Sequence, residues 1–413
     1  MTQKLFTPNF VLLILGQLTS LFGNFILKLA LSMYVLETTA SAAVFAGILS
    51  AAIIPTILLS PFGGILADRV DRRKMMVALD ALTGVSVLGA MLLMSERNAL
   101  VVITVLLVLL SILGAFETPT VQACIPTMLQ GDNITKGNAM VNQVASLSYL
   151  VAPLAGGVFY AMFGLKPVMA ASVGCFFVTA FFECFIKLDY QRLPATGGVF
   201  SVIRQDFLSS MQYISQEERI IGKMLLLTSC TRFFVMGIIL VGMPYMVRTV
   251  LGLNAKYYGA AESALAVATI VGSIAAGLLT GKLKIHRLYR LLAAIGIFMI
   301  PAGISFLFPV SSMIKYISIV ISFCGMQMII SIFSIMVVSF IQQRTPNHFM
   351  GKVMAYVSTV TLCVQPIGQI VYGFWFDRFS DAVSLVLIPT GIVVCVIGLC
   401  ARWGLNEGGY KYE

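Results

Sequence analysis

Six ionisable residues interrupt long apolar runs of the chain: Lys28, Asp80, Glu117, Glu183, Arg232 and Glu262. A charge inside hydrocarbon is costly, so it is kept where it pairs with an opposite charge, lines a water-filled path or carries a proton. Glu117 is followed by Thr118 and Pro119. Pro119 lacks an N–H and displaces the carbonyl of Ala115, so this stretch is expected to be bent, polar and reachable by water. A carboxyl group there is a candidate proton carrier; the alternative is a glutamate satisfied by loop bases or a hydroxyl. Lys28 and Glu262 stand equally far along their runs, ~27–28 Å from the same side at the helical rise, and are expected to pair on the extracellular side in the outward-closed state. Arg232 falls near the middle of its run, where it could act on the Glu117 carboxyl. Asp80 and Glu183 lie within about two turns of a run's end, close enough to snorkel or to pair with loop arginines.

Polar amides accompany these charges. Gln17 and Asn24 are seven apart and share a helical face that approximately reaches Lys28. Asn142, Gln143, Gln327 and Gln365 lie in other runs, and either substrate contact or interhelical hydrogen bonding accounts for such residues.

The elements that must position these groups are membrane spans. The chain has 413 residues, 59% of them hydrophobic and only 11% charged, with a mean hydropathy of +0.96. So few charges cannot cover a water-facing surface, which excludes soluble enzymes, nucleic-acid binders and disordered regulators. Windows of about 20 apolar residues recur twelve times, from 10–35 to 383–403. The first is expected to be a retained span, not a cleaved signal peptide. With both termini in the cytoplasm, nineteen of the 27 Lys and Arg fall on the cytoplasmic side and six on the other, so the positive-inside rule sets the orientation. The formal charge of +10 is then a topology signal. Eight scattered cysteines read as small buried hydrophobes. The two histidines, His286 and His348, fall in cytoplasmic loops. No motif suggests a metal, a cofactor, a catalytic nucleophile or a nucleotide-binding loop, so an enzyme is not expected.

The longest polar stretch, 189–218, divides the spans six and six. The expected organisation is an N-terminal half, 1–188, a cytoplasmic linker, 189–218, and a C-terminal half, 219–413. In the linker Phe200, Ile203, Phe207, Met211 and Ile214 recur at helical spacing, predicting an amphipathic helix with a structural role. Gly64-Ile-Leu-Ala-Asp68-Arg69 matches Gly277-Leu-Leu-Thr-Gly281-Lys282, and Pro153-Leu-Ala-Gly156 matches Pro366-Ile-Gly368. Both matches share an offset of 213 residues, which maps each span onto the span six further on. The halves therefore read as a repeat, giving an all-α membrane protein of two pseudo-symmetric six-helix halves.

With these features the chain resembles the major facilitator superfamily. The resemblance rests on Gly64, Asp68, Arg69, Arg73 and Lys74, in register with that family's Gly-x-x-x-Asp-Arg/Lys-x-Gly-x-Arg/Lys-Arg/Lys loop, with Asp71 where the pattern has Gly. It implies a cytoplasmic gate at these residues. Ala152-Pro153-Leu154-Ala155-Gly156-Gly157 is similar to the Gly-Pro-x-x-Gly-Gly element of drug antiporters, implying a hinge at Pro153, Gly156 and Gly157 and an export direction. The runs Gly64 to Asp80, Thr118-Pro119, Ile125-Pro126 and Gly137-Asn138, with Gln342 to Val353, look most like the macrolide-efflux type of exporter. The expectation is a proton-coupled exporter of small amphipathic compounds, monomeric, in a bacterial plasma membrane. Glu117 would couple protons, and Gln17, Asn24, Lys28, Asn142, Gln143, Arg232, Glu262, Gln327 and Gln365 would line the cavity. Export of a siderophore or lysophospholipid fits the same fold, and a membrane-embedded enzyme is the alternative of another class.

Overall fold

The computed structural model describes residues 5–188, 199–279, 288–346 and 349–406. Among these residues all repetitive structure is helical. Six helices come first: α1 (Pro8–Thr39), α2 (Ala42–Arg69), α3 (Arg72–Leu93), α4 (Ala99–Met128), α5 (Asp132–Phe163) and α6 (Leu165–Cys184). The amphipathic helix expected in the linker follows as α7 (Val199–Gln212). Then come α8 (Arg219–Val250), α9 (Ala255–Leu279), α10 (Leu288–Ser305), α11 (Ser312–Arg344), α12 (Met350–Arg378) and α13 (Ser384–Asn406). Twelve of these, all except α7, are long and apolar enough to cross a membrane, one for each window in the sequence.

Local chemistry sets the helix ends. Thr7 Oγ1 accepts from Phe10 N at 3.3 Å and Pro8 opens α1, where its missing N–H costs nothing. Asp71, at the position where the family loop carries Gly, is the N-cap of α3. Its φ is −58° and its carboxylate accepts from the Arg73 and Lys74 amides, so this turn needs a capping side chain and no left-handed glycine. Gly164 alone links α5 to α6 at φ 75°, a conformation that disfavours other residues. α8 departs from the expected plain helix. Three of its segments, Arg232–Met236, Ile238–Gly242 and Met246–Val250, wind as π-helix, around Pro244, which cannot donate to the preceding turn.

The chain forms two compact units, one comprising Met1–Thr38, Ala51–Ser201 and Asn254–Ser263, the other Thr39–Ser50, Val202–Leu253 and Ala264–Glu413. In the first, Phe10, Leu13, Met76, Val121, Cys124, Ile125, Leu129 and Ile186 form a fully buried cluster. Helices approach closely where one lacks a side chain. A Cβ at Gly63 of α2 would stand 2.3 Å from the Ala115 carbonyl oxygen of α4, the same carbonyl that Pro119 leaves without its helical donor. Gly156 of α5 lies against the Cα of Ile26, and Gly157 against Gly259 at the start of α9.

In the second unit the same helix pairing returns six spans later. Gly368, two residues after Pro366 of α12, rests on the Phe233 carbonyl of α8, and Gly237 of α8 packs under the Tyr372 ring. Near the end of α12 the Asp377 carboxylate caps the first turn of α2, accepting from Ser41 Oγ at 2.5 Å, Ala42 N at 2.6 Å and Ala43 N at 3.1 Å. Beside it a Cβ at Gly373 would stand 2.6 Å from the Ala46 Cβ. On the outer faces of the spans, Leu92, Leu93 and Leu278 are 72–75% exposed. Such surfaces would aggregate in water and are at home in lipid.

Candidate functional site

α1 places Gln17, Ser20, Asn24 and Lys28 at three- and four-residue spacing, hence on one face. Gln17, Asn24 and Lys28 open into a cavity of about 400 Å³, which Glu117 and Thr118 enter from α4 and Asn142 from α5. Lys28 is the cation whose charge acts on Glu117. Gln143 follows Asn142 on α5 but is exposed and lies outside the cavity lining.

Behind the cavity two further carboxyls come together. Ser20 Oγ lies 2.9 Å from Asp80 Oδ1 and 3.3 Å from Glu117 Oε1, and the Asp80 carboxyl faces that of Glu183. Asp80 is 1% exposed and Glu183 0%. The snorkelling or arginine pairing expected for them is therefore not what the structure shows: neither side chain reaches the surface, and both Glu183 oxygens and Asp80 Oδ2 lack a hydrogen-bond partner. The reason is that α1 bears Gly16 opposite Glu183, where a Cβ would stand 3.8 Å from Oε1, so the helices close over the carboxyl. Seven buried side-chain N or O atoms lack a partner among the described residues, and five belong to Gln17, Asn24, Asp80 and Glu183. Unsatisfied polarity is thus concentrated behind and along the cavity wall.

Glu262 does not pair with Lys28. Its carboxylate accepts a hydrogen bond from Tyr258, one turn away on α9, and it acts on Tyr149 of α5. Rise along two helices puts Lys28 and Glu262 at equal heights but says nothing of the directions they face.

In the second unit Arg232 and Gln327 line a cavity of about 390 Å³ with Thr228, Thr231, Ser273 and Ser331. Arg232 donates to Gln365 Oε1 at 3.2 Å and Gln327 to Thr269 Oγ1 at 3.0 Å, so these two amides make the interhelical bonds that were one of their two readings.

At the loop between α2 and α3, Arg73 donates to the Cys184 carbonyl and Lys74 stands 3.9 Å from Asp71. The surroundings of Gly64 and the side chains of Asp68 and Arg69 lie outside the described residues, as do His286 and His348. Sequence reasoning set aside Asp80 and Glu183 and passed over Ser20, although Ser20 sits three residues after Gln17 and four before Asn24. It also missed Asp377 and Tyr258.

Twelve membrane-length helices with charge-bearing cavities between them define a multi-pass membrane protein. Residues 13–364 match the Major Facilitator Superfamily, and the chain belongs to that family of transporters. It is 25% identical to macrolide efflux protein A of Streptococcus pyogenes, over 95% of this chain and 94% of that protein. A staphyloferrin A transporter of Staphylococcus aureus is 23% identical over 49% of this chain and 50% of its own length. The crystal structure of a POT peptide transporter superposes with a TM-score of 0.76 at 14% identity, covering 96% of this chain and 94% of that one, a likeness of fold.

Proposed function

We propose that the protein is a secondary exporter that exchanges small amphipathic compounds for protons by alternating access, in a bacterial plasma membrane, with both termini cytoplasmic and the monomer as the working unit. The observation that carries this reading is the cavity holding Glu117 and Lys28 together. A carboxyl beside a fixed cation, open to water on one side, can exchange a proton for the positive end of an amphiphile, while the apolar wall accepts its body. Gln17, Asn24 and Asn142 supply adaptable hydrogen bonds around it. Pro153, Gly156 and Gly157 serve as a hinge, because α5 meets two neighbouring helices there with no side chain between them. The residues Gly64, Asp68, Arg69, Arg73 and Lys74 form the cytoplasmic gate.

Full-length similarity to a macrolide efflux protein favours a bulky amphipathic drug as substrate. The staphyloferrin A transporter supports a second reading, in which the cargo is an endogenous amphiphile of the siderophore kind. Counterflow in proteoliposomes with labelled macrolides, siderophores and lysolipids separates the two, and activity on none of them defeats both. Coupling is tested with Glu117→Gln, which is expected to bind substrate with little pH dependence and to fail at uphill transport under an imposed proton gradient. Wild-type uphill rates in that variant would overturn the role of Glu117.

A further inference from the structure

We propose that Asp80 and Glu183 form a buried proton-binding site joined to Glu117 through the Ser20 hydroxyl, so that the proton is handled by three carboxyls in series. This rests on the reading of Glu117 as the coupling group and extends it. Two carboxylates in contact inside a protein repel strongly unless a proton or cation lies between them. Asp80 and Glu183 face each other at 1% and 0% exposure, and three of their four oxygens have no hydrogen-bond donor. Arg73 of α3 donates to the carbonyl of Cys184, next to Glu183. Lys28 from α1 acts on Glu117 of α4, while Arg72 and Asp71 at the head of α3 act on Cys124 of α4, as does Glu183 of α6. The described residues gather no group of three or more His, Cys, Asp or Glu side chains that could hold a metal ion, and a single shared proton relieves the repulsion.

Ser20 supplies the connection. A hydroxyl has one proton to give and lone pairs to receive another, and its oxygen stands 2.9 Å from Asp80 Oδ1 and 3.3 Å from Glu117 Oε1. When Glu117 is protonated and Asp80 ionised, the Glu117 O–H bond breaks as its proton passes to Ser20 Oγ, and the original Ser20 O–H bond breaks as its proton passes to Asp80. Serine is regenerated, and the negative charge has moved from Asp80 to Glu117, where it meets Lys28 or a cationic substrate. The pair lies about 12 Å along α3 from its start, and Glu117 about 16 Å from the end of α4, by helical rise. The series therefore runs from the α2–α3 end of the unit toward the cavity.

Purified full-length protein in lipid, without substrate or gradient, is titrated with pH while the infrared carboxylic C=O band is followed. The expected result is a titrating component that persists in Glu117→Gln and is missing from the Asp80→Asn/Glu183→Gln variant, which keeps only the component due to Glu117. Ser20→Ala is expected to keep the band but slow pH-driven proton uptake into Glu117 relative to wild type. As a check free of any variant, a hydrophobic carbodiimide applied to the wild-type protein is expected to label Asp80 or Glu183 at low pH and to lose that labelling as pH rises. Absence of labelling at both residues, or a band that responds to sodium at fixed pH, would overturn the proposal. Because these readouts need no transport, the uphill-transport test of Glu117→Gln can fail or succeed independently of them.

Discussion

The Asp377 carboxylate accepts a hydrogen bond from the backbone amide of Ala42 at 2.6 Å, so one residue near the end of α12 satisfies the exposed N–H groups that open α2. Helix N-termini carry unpaired donors and a partial positive charge, which a carboxylate meets on both counts. Asp377→Ala is expected to lower stability by about 1–3 kcal/mol, read as a fall in the thermal midpoint in detergent. Asp377→Asn, which keeps an acceptor but no charge, is expected to fall between. An unchanged midpoint for Asp377→Ala would show that water caps α2 as well as the carboxylate does.

Gly63 and Gly89 form a matched pair for the packing argument. At Gly63 a new methyl meets the Ala115 carbonyl oxygen at 2.3 Å, whereas at Gly89 nothing lies within 4 Å. Gly63→Ala is expected to cost ~1–3 kcal/mol of overpacking, and Gly89→Ala to be neutral or stabilising by up to ~1 kcal/mol. Folding yield and midpoint measured on both variants decide it. Equal behaviour of the two would remove the close α2–α4 contact from the account.

Lys28 and Glu117 line the same cavity, and a double-mutant cycle measures how strongly their charges interact. Removing one partner of a fully buried pair costs ~3–5 kcal/mol, and the water of the cavity reduces that figure here. Lys28→Ala and Glu117→Ala are each expected to be less stable than the double variant. Strictly additive midpoints would mean that the two charges ignore each other.

Asp68→Asn is expected to impair transport while expression and membrane insertion stay near normal, since it weakens closure of the proposed gate without altering span hydrophobicity. Transport assayed in everted vesicles at wild-type rates would remove Asp68 from the gate.

How much of this was legible beforehand depends on the kind of information each residue needs. Twelve spans could be read because hydrocarbon thickness imposes length and apolarity one segment at a time. The shared offset from Pro153 to Pro366 was visible because a repeat is a property of the string. The direction in which a side chain faces depends on the neighbouring helices, and there the reading failed. Lys28 and Glu262 matched in height alone, and Asp80 and Glu183 were judged by their distance from a span end, without the knowledge that Gly16 lets α1 close over them. Ser20 carried a usable signal, its place on the face of Gln17, Asn24 and Lys28, that was not followed. The cap at Asp377 joins residues 335 positions apart, and nothing local announces it.

Gly157 and Gly259 touch main chain to main chain, and this bears on wear as much as on motion. Neither residue has a rotamer to lose or regain, so the two surfaces can part and meet again without trapping a side chain in the wrong well. Repeated separation leaves no memory in such a contact. In the proposed transport cycle the α5–α9 junction would act as a bearing, its two faces returning to one seating each time they are drawn apart.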